Sequence, residues 1–351
     1  MGSMLDGLVS LSSERVTCTS TVQGTKRATV CNTRDVIPKH PGNARSVGSP
    51  HAGVAVLNRL ARSVHSVGGA VERTDVVARL LDVHLARRDP AAETGSIGRS
   101  LRGVVGATVP EDADLGPDAT LEALALDRHE PASIAAAVAV ARDDARRARD
   151  VVSTELWDCL NTTRSRLPRK IAGERAHEFL GWVRERSALA VGVVDGDASR
   201  DEVWEFFTLG RSLTRLTVTA RMLASDLLDP ASAASWTTAL RACGAGEAFH
   251  REHRRGTTSS EAATFLLLDA HSPRSLLFLT RRSEECLDDL VGVHLAAEVR
   301  AFGDARAELE TLTPDTAVDA ARSAGARLAL AAETVTAALD ARVFAAPEPV
   351  G

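Results

Sequence analysis

A chain of 351 residues with 44% hydrophobic content is long enough to bury a sizeable core, in one large domain or two modest ones. Aromatic residues make up 3% and tyrosine is absent, so that core is built of Ala, Val and Leu, which favours closely packed helices over sheet. With 42 basic against 47 acidic residues the net charge is -5, which gives no electrostatic case for nucleic acid or an anionic membrane.

Cysteine and lysine usage narrow the class further. Cys18, Cys31, Cys159, Cys243 and Cys286 are odd in number and form no Cys-x-x-Cys pair, which argues against a disulfide framework or a zinc knuckle and predicts reduced thiols. Lys26, Lys39 and Lys170 are the only lysines. Positive charge is therefore almost all arginine, a bias that GC-rich coding produces by itself, so an arginine's position carries meaning and its abundance does not. No stretch approaches 18 consecutive apolar residues and residues 1–20 lack a signal pattern, so a cytoplasmic protein is expected.

In chain order, residues 1–53 are rich in Ser, Thr, Gly, Pro and Asn and read as a disordered leader. The first long helix is predicted from Val54 to Arg88, stopping before Pro90. On it Leu57, Val64, Val71, Ala78 and Leu85 recur every seven residues, with Leu60, Val67 and Leu81 between them, as one apolar seam. Gly68, Glu72, Asp75, Arg79 and Asp82 form a second stripe beside it. Arg73 has Gly69, Val76 and Leu80 as helical neighbours and needs a partner.

Residues 90–132 read as short helices and loops. Ser133 should cap a helix running to Asn161, with Ile134, Val138, Ala141, Ala145, Ala148 and Val152 as a seam of small residues. The next step of that seam lands on Glu155, and Arg142, Arg146, Arg149 and Ser153 run parallel to it. A helix from Glu174 to Val194 ends in the Asp195-Gly196-Asp197 turn. Ser199 with Glu202 reads as a capping box opening a helix through Trp204, Phe206, Phe207, Leu209 and Leu213 to Leu228, ended by Pro230. Further helices are predicted near 231–251, 258–269 and 273–300, with a last pair over 301–345 and a tail from 346 to 351.

One internal echo stands out. Gly68-x-x-Val71-x-Arg73-x-x-Val76-x-Ala78-Arg79-x-Leu81 returns as Gly210-x-x-Leu213-x-Arg215-x-x-Val218-x-Ala220-Arg221-x-Leu223, offset by 142 residues. The expectation is an all-α, multi-helix bundle over 54–345, made of two pseudo-repeated halves whose equivalent helices face each other.

These motifs resemble the alpha-E family, bacterial all-helical domains of unknown function named for a Glu-Arg helix motif. Glu72-Arg73-Thr74-Asp75-Val76-Val77-Ala78-Arg79-Leu80-Leu81-Asp82-Val83 is similar to the family's opening signature. Ala141-Arg142-Asp143-Asp144-Ala145-Arg146 with Ser153, Glu155, Trp157 and Asn161 is similar to its second motif. Ser199-Arg200-Asp201 with Trp204, Leu209, Gly210, Arg211 and Arg215 resembles the third. Leu266-Leu267-Leu268-Asp269 followed by Pro273-Arg274-Ser275 resembles the fourth. The chain departs from the pattern at Gly69, where arginine is usual, at His65 and Ser66, where aromatics are usual, and at Thr214, which replaces a second Glu. The resemblance implies a partnership with a circularly permuted ATP-grasp ligase, and with transglutaminase-like proteins, in peptide or amide formation.

The leading candidate site is a polar centre of Glu72, Arg73, Arg79, Arg146, Arg149, Glu155 and Arg215, with Arg221 on the same helix as Arg215. Guanidinium forks there would hold a small anionic or amino-acid-like group. Glu72 and Asp75 are the acid–base candidates, because neighbouring carboxylates raise one another's pKa. The competing reading makes Arg73 with Glu155, and Arg215 with another acid, interhelical ion pairs that fix register. His65 reads as a core-edge histidine or a proton carrier, and Ser275 as a helix-start hydroxyl. His250 and His253 have no third ligand, so no metal is assigned. No phosphate-binding glycine motif is present and no cofactor is assigned. Two roles follow: a helical partner of an ATP-grasp ligase, or a stand-alone enzyme acting on a small amino-acid-derived substrate.

Overall fold

The computed structural model describes residues 11–12, 15–22, 25–32, 58–85, 95–109, 114–254, 256–290 and 295–345, in two compact units divided after Val54. In the first unit Leu11–Ser12 (β1), Arg15–Val22 (β2) and Thr25–Asn32 (β3) form an antiparallel sheet, with Val22 opposite Thr25 and Arg15 opposite Asn32. This differs from the unstructured leader expected there. Val16, Cys18, Ser20 and Val22 alternate with Thr17, Thr19 and Thr21, a β-branched-rich period of two that suits a strand. The rest of 1–53 and the tail 346–351 lie outside the described residues.

The second unit is all-α. Its helices are α1 (Asn58–Leu85), α2 (Ser96–Val105), α3 (Pro117–Ala125), α4 (Ile134–Arg147), α5 (Thr154–Arg166), α6 (Ala176–Asp197), α7 (Glu202–Ala224), α8 (Ala233–Ala242), α9 (Gly246–Glu252), α10 (Ser259–Leu268), α11 (Leu276–Asp289), α12 (Ala296–Glu310) and α13 (Ala317–Ala338). Among the described residues, no helix is long and apolar enough to cross a membrane.

The centre of the bundle is the pair α1 and α7, with α4 and α6 packed on α1 and with α11 and α13 packed on α7. Val64, Val67, Val71, Ala78 and Leu81 of the α1 seam are buried, as their spacing predicts. Glycine sets how closely the two central helices approach. A Cβ on Gly68 would overlap the Phe207 carbonyl oxygen, and one on Gly210 would overlap the His65 carbonyl oxygen. Gly68 with Gly210 and His65 with Phe207 are both 142 positions apart, so the contact is reciprocal.

Several helix boundaries differ from the periodic reading: the helix expected near 231–251 is divided into α8 and α9, that expected over 273–300 ends at Asp289 with α12 opening at Ala296, and α6 runs on through the Asp195-Gly196-Asp197 turn. The single helix expected from Ser133 to Asn161 is broken: α4 ends at Arg147, and Ser153 caps α5 by accepting from the Leu156 N–H at 3.1 Å. Asp201, rather than Ser199, caps α7, because its carboxylate takes the N–H groups of both Val203 and Trp204, at 3.0 and 3.3 Å. Ser133 does cap α4, accepting from Ala136 at 3.0 Å.

Candidate functional site

Glu72 and Asp75 lie one turn apart on α1 and are buried, with 1% and 6% of their surface exposed. Arg215 of α7 meets Glu72 with a two-pronged fork, Nε donating to one carboxylate oxygen at 2.5 Å and Nη2 to the other at 2.7 Å. Its Nη1 donates to the Pro273 carbonyl at 3.0 Å, which ties the pair to the loop ahead of α11. Arg274 enters from that loop, donating to Asp75 at 3.2 Å and lying 3.9 Å from Glu72. Arg79, one turn beyond Asp75, donates to it at 2.9 Å. Arg211, one turn before Arg215, brings its buried Nε to 3.5 Å from Glu72, within ion-pair distance but without hydrogen-bond geometry.

Four guanidinium groups thus surround two carboxylates. Burial alone would raise the pKa of both acids. Arg215, Arg211 and Arg274 around Glu72, and Arg274 and Arg79 around Asp75, more than offset it and hold both below their ordinary values. The mutual repulsion expected to raise one of them is outweighed by these cations. Both acids are therefore ionised at neutral pH.

Of the residues expected to converge, Glu72, Asp75, Arg79 and Arg215 do come together. Arg146 and Arg149 are exposed, and Glu155 is exposed in the first turn of α5, so these three stand outside the centre. The reason is the break between α4 and α5: a seam drawn through residues 148–153 as one helix does not exist. The Arg73–Glu155 pair is likewise not formed. Arg73 turns away from Glu72, and its Nη1 donates to the Val105 carbonyl at 3.1 Å, at the end of α2. Arg221 pairs with Glu333 of α13 at 2.9 Å and presses its Nη1 against Gly106, beside Val105.

Sequence reasoning misses Arg211 and Arg274 as members of this centre. Arg211 was findable, since it stands four residues ahead of Arg215 on one face of α7. Arg274 sits in a loop, where no period points to it. His65 is kept neutral by burial, with its pKa lowered to about 4, and its ring lies 5.2 Å from that of Phe344, which fits a core-edge residue better than a proton carrier. Ser275 is the N-cap of α11, accepting from Phe278 at 3.1 Å. His253 stacks on Phe249 at 4.2 Å, and among the described residues no group of three or more His, Cys, Asp or Glu is placed for a metal. Burial pushes the Cys243 thiol up to about 12, which leaves it inert at neutral pH.

A recess of about 430 Å³ is lined by Val64, Leu156, Trp204 and Phe207 together with Asp150, Asp197 and Asp201, and by none of the four arginines or two acids of the centre. Phe207 also lies under Arg211, whose guanidinium is 5.9 Å from the ring centroid.

Fold and site together define an all-helical domain built around a buried helix that carries an adjacent Glu and Arg. The chain belongs to the Alpha-E family, described as a predicted alpha-helical domain with a conserved ER motif, whose model matches residues 56–344. Glu72-Arg73 is the pair that resembles this motif, and its two members face different partners. No curated protein and no solved structure matches the chain.

Proposed function

We infer that this domain is the helical component of a peptide or amide ligation pathway, working beside a circularly permuted ATP-grasp ligase, and that its arginine-rich centre holds a small anionic or amino-acid-like group. One observation carries the binding part: among the described residues, the four arginines Arg79, Arg211, Arg215 and Arg274 lie within ion-pair distance of two acids, Glu72 and Asp75, with Asp195 acting on Arg211 from further away, so positive charges outnumber the acids in contact with them. A ligand carboxylate would neutralise one of these positive charges.

The ligase partnership rests on the family resemblance, as does a further partnership with a transglutaminase-like protein. Without a phosphate-binding glycine motif in the sequence, the ATP chemistry is assigned to the partner. The alternative, a stand-alone enzyme with Glu72 and Asp75 as acid and base, is the weaker reading. Both acids are held ionised by the arginines, which makes neither a proton donor at neutral pH.

The test is co-expression of the full chain with an ATP-grasp ligase of the same genome, comparing wild type with Arg274→Met by mass spectrometry of amide products and by melting temperature. Loss of product from a folded variant supports the reading. Unchanged product with no co-eluting ligase overturns it.

A further inference from the structure

The two halves of the helical unit carry the same loop. Asp127-Arg128-His129-Glu130-Pro131-Ala132-Ser133 precedes α4, and Asp269-Ala270-His271-Ser272-Pro273-Arg274-Ser275 precedes α11, with Asp, His, Pro and Ser matched at the 142-residue offset. The bonds match as well. Ser133 donates to the Asp127 carbonyl as Ser275 does to the Asp269 carbonyl, and the Asp side chains accept from the His129 and His271 backbone N–H groups at 2.8 and 2.7 Å. The bounds of α4 and α11 keep the same offset. Arg79 packs against Gly244 as Arg221 packs against Gly106, both glycines being left-handed, with φ of 72° and 75°. With the reciprocal contact of Gly68 and Gly210, these features relate α1 to α7 by a local twofold axis.

The axis pairs two unequal sites. Arg215 corresponds to Arg73, and Arg79 to Arg221, but Glu72 corresponds to Thr214, Asp75 to Thr217, Arg211 to Gly69 and Arg274 to Ala132. Arg215 uses its Nε and Nη2 edge on Glu72. Among the described residues Arg73, its counterpart, has no carboxylate within ion-pair distance and one side-chain hydrogen bond, from Nη1 to Val105. Glu130 is the acid whose charge reaches Arg73, without an ion pair, and its Oε1 accepts from the Ala132 N–H at 3.0 Å, while Glu333 is taken by Arg221. Arg73 is half-buried and keeps part of its surface exposed.

We propose that this second half-site binds an external carboxylate, which docks on the Nε and Nη2 edge of Arg73, where the other half has Glu72 and this half has only Thr214. The ligand supplies the charge that the chain omits. This goes beyond the function proposed above, because it concerns the opposite side of α1 and stands without any ligase partner.

The test titrates the full chain with succinate, read by melting temperature and calorimetry, against sodium chloride at equal ionic strength. Wild type is expected to bind succinate, and Arg73→Met to bind it roughly tenfold more weakly or worse. Thr214→Glu, which brings the carboxylate in cis, is expected to raise the melting temperature without ligand and to abolish the succinate response. Arg146→Ala, an exposed arginine outside both half-sites, is expected to keep it. Equal succinate binding by wild type and Arg73→Met overturns the proposal, as does a response matched by chloride or no response in wild type. Binding lost in Arg274→Met but kept in Arg73→Met places the carboxylate at the Glu72 centre, which sinks this proposal and leaves the earlier reading standing. Should Thr214→Glu fail to fold, the comparison of wild type with Arg73→Met decides.

Discussion

Glu72 and Arg73 are neighbours in sequence, yet the rotation of about 100° between successive helical residues sends them to regions that handle buried charge in opposite ways. Around Glu72 the solution is dense pairing: Arg215, Arg211 and Arg274 all lie within 4 Å of its carboxylate. Around Arg73 no described carboxylate comes within ion-pair distance, Glu130 acts only from further away, and the backbone takes over. The Val105 carbonyl that it meets belongs to the last turn of α2, where unsatisfied carbonyl groups carry partial negative charge. A helix end suffices to hold a half-buried guanidinium, whereas a fully buried carboxylate needs several cations. The comparison teaches that the Glu-Arg pair is two devices, one on each side of α1.

The largest expected effect breaks the Glu72 side. Arg215→Met leaves a carboxylate with 1% exposure short of its two shortest hydrogen bonds, and should cost about 3 kcal/mol or more in urea unfolding. Arg73→Met removes one neutral-acceptor bond from a half-buried group and should cost roughly 1 kcal/mol. Equal losses would erase the distinction drawn here. Next come Gly68→Ala and Gly210→Ala, each of which forces a methyl into a carbonyl oxygen of the facing helix, at roughly 1–3 kcal/mol each. If α1 and α7 are related by a twofold, the two losses should agree; a large inequality would sink the axis.

Acid titration sharpens the comparison from another side. Glu72 and Asp75 have folded-state pKa values below their unfolded ones, so the stability they contribute is fully present above the unfolded values near 4 and is lost as pH falls through the folded values. The wild-type acid transition should therefore lie below about pH 4. Arg274→Met removes a cation shared by both acids, raises their folded pKa values and should move the acid midpoint upward. Arg73→Met, which touches neither acid, should leave the midpoint in place once its loss of stability is allowed for.

How much of this was legible in the sequence depends on which residues sit on a repeating period. The α1 seam, the Ser133 cap and the Glu72, Asp75 and Arg79 stripe follow from helical spacing, and the structure places them accordingly. Arg215 was legible through the motif echo at 142 residues. Arg274 was not, because a loop side chain is aimed by local hydrogen bonds, here those of Asp269 and Ser275, rather than by a period. The strands at 15–32 were passed over because Ser and Thr enrichment resembles a loop when the alternation within it is not examined.

The smallest expected effect tests the clearest misreading. Arg146, Arg149 and Glu155 were placed in the centre by extending the Ile134 to Val152 seam as one helix, and the seam does keep its spacing of three and four across the break. Spacing alone cannot register a chain reversal; the Ser153 hydroxyl does, by taking the Leu156 N–H that an unbroken helix would give to a backbone carbonyl. Arg146→Ala and Arg149→Ala should therefore shift stability by no more than roughly 0.5 kcal/mol. Glu155→Ala should lose only a few tenths, from its place at the positive end of α5, and that loss should fade with added salt. A salt-insensitive loss at Glu155 as large as that of Arg215→Met would mean that the carboxylate is buried against a base after all, and that α4 and α5 pack as one column in solution.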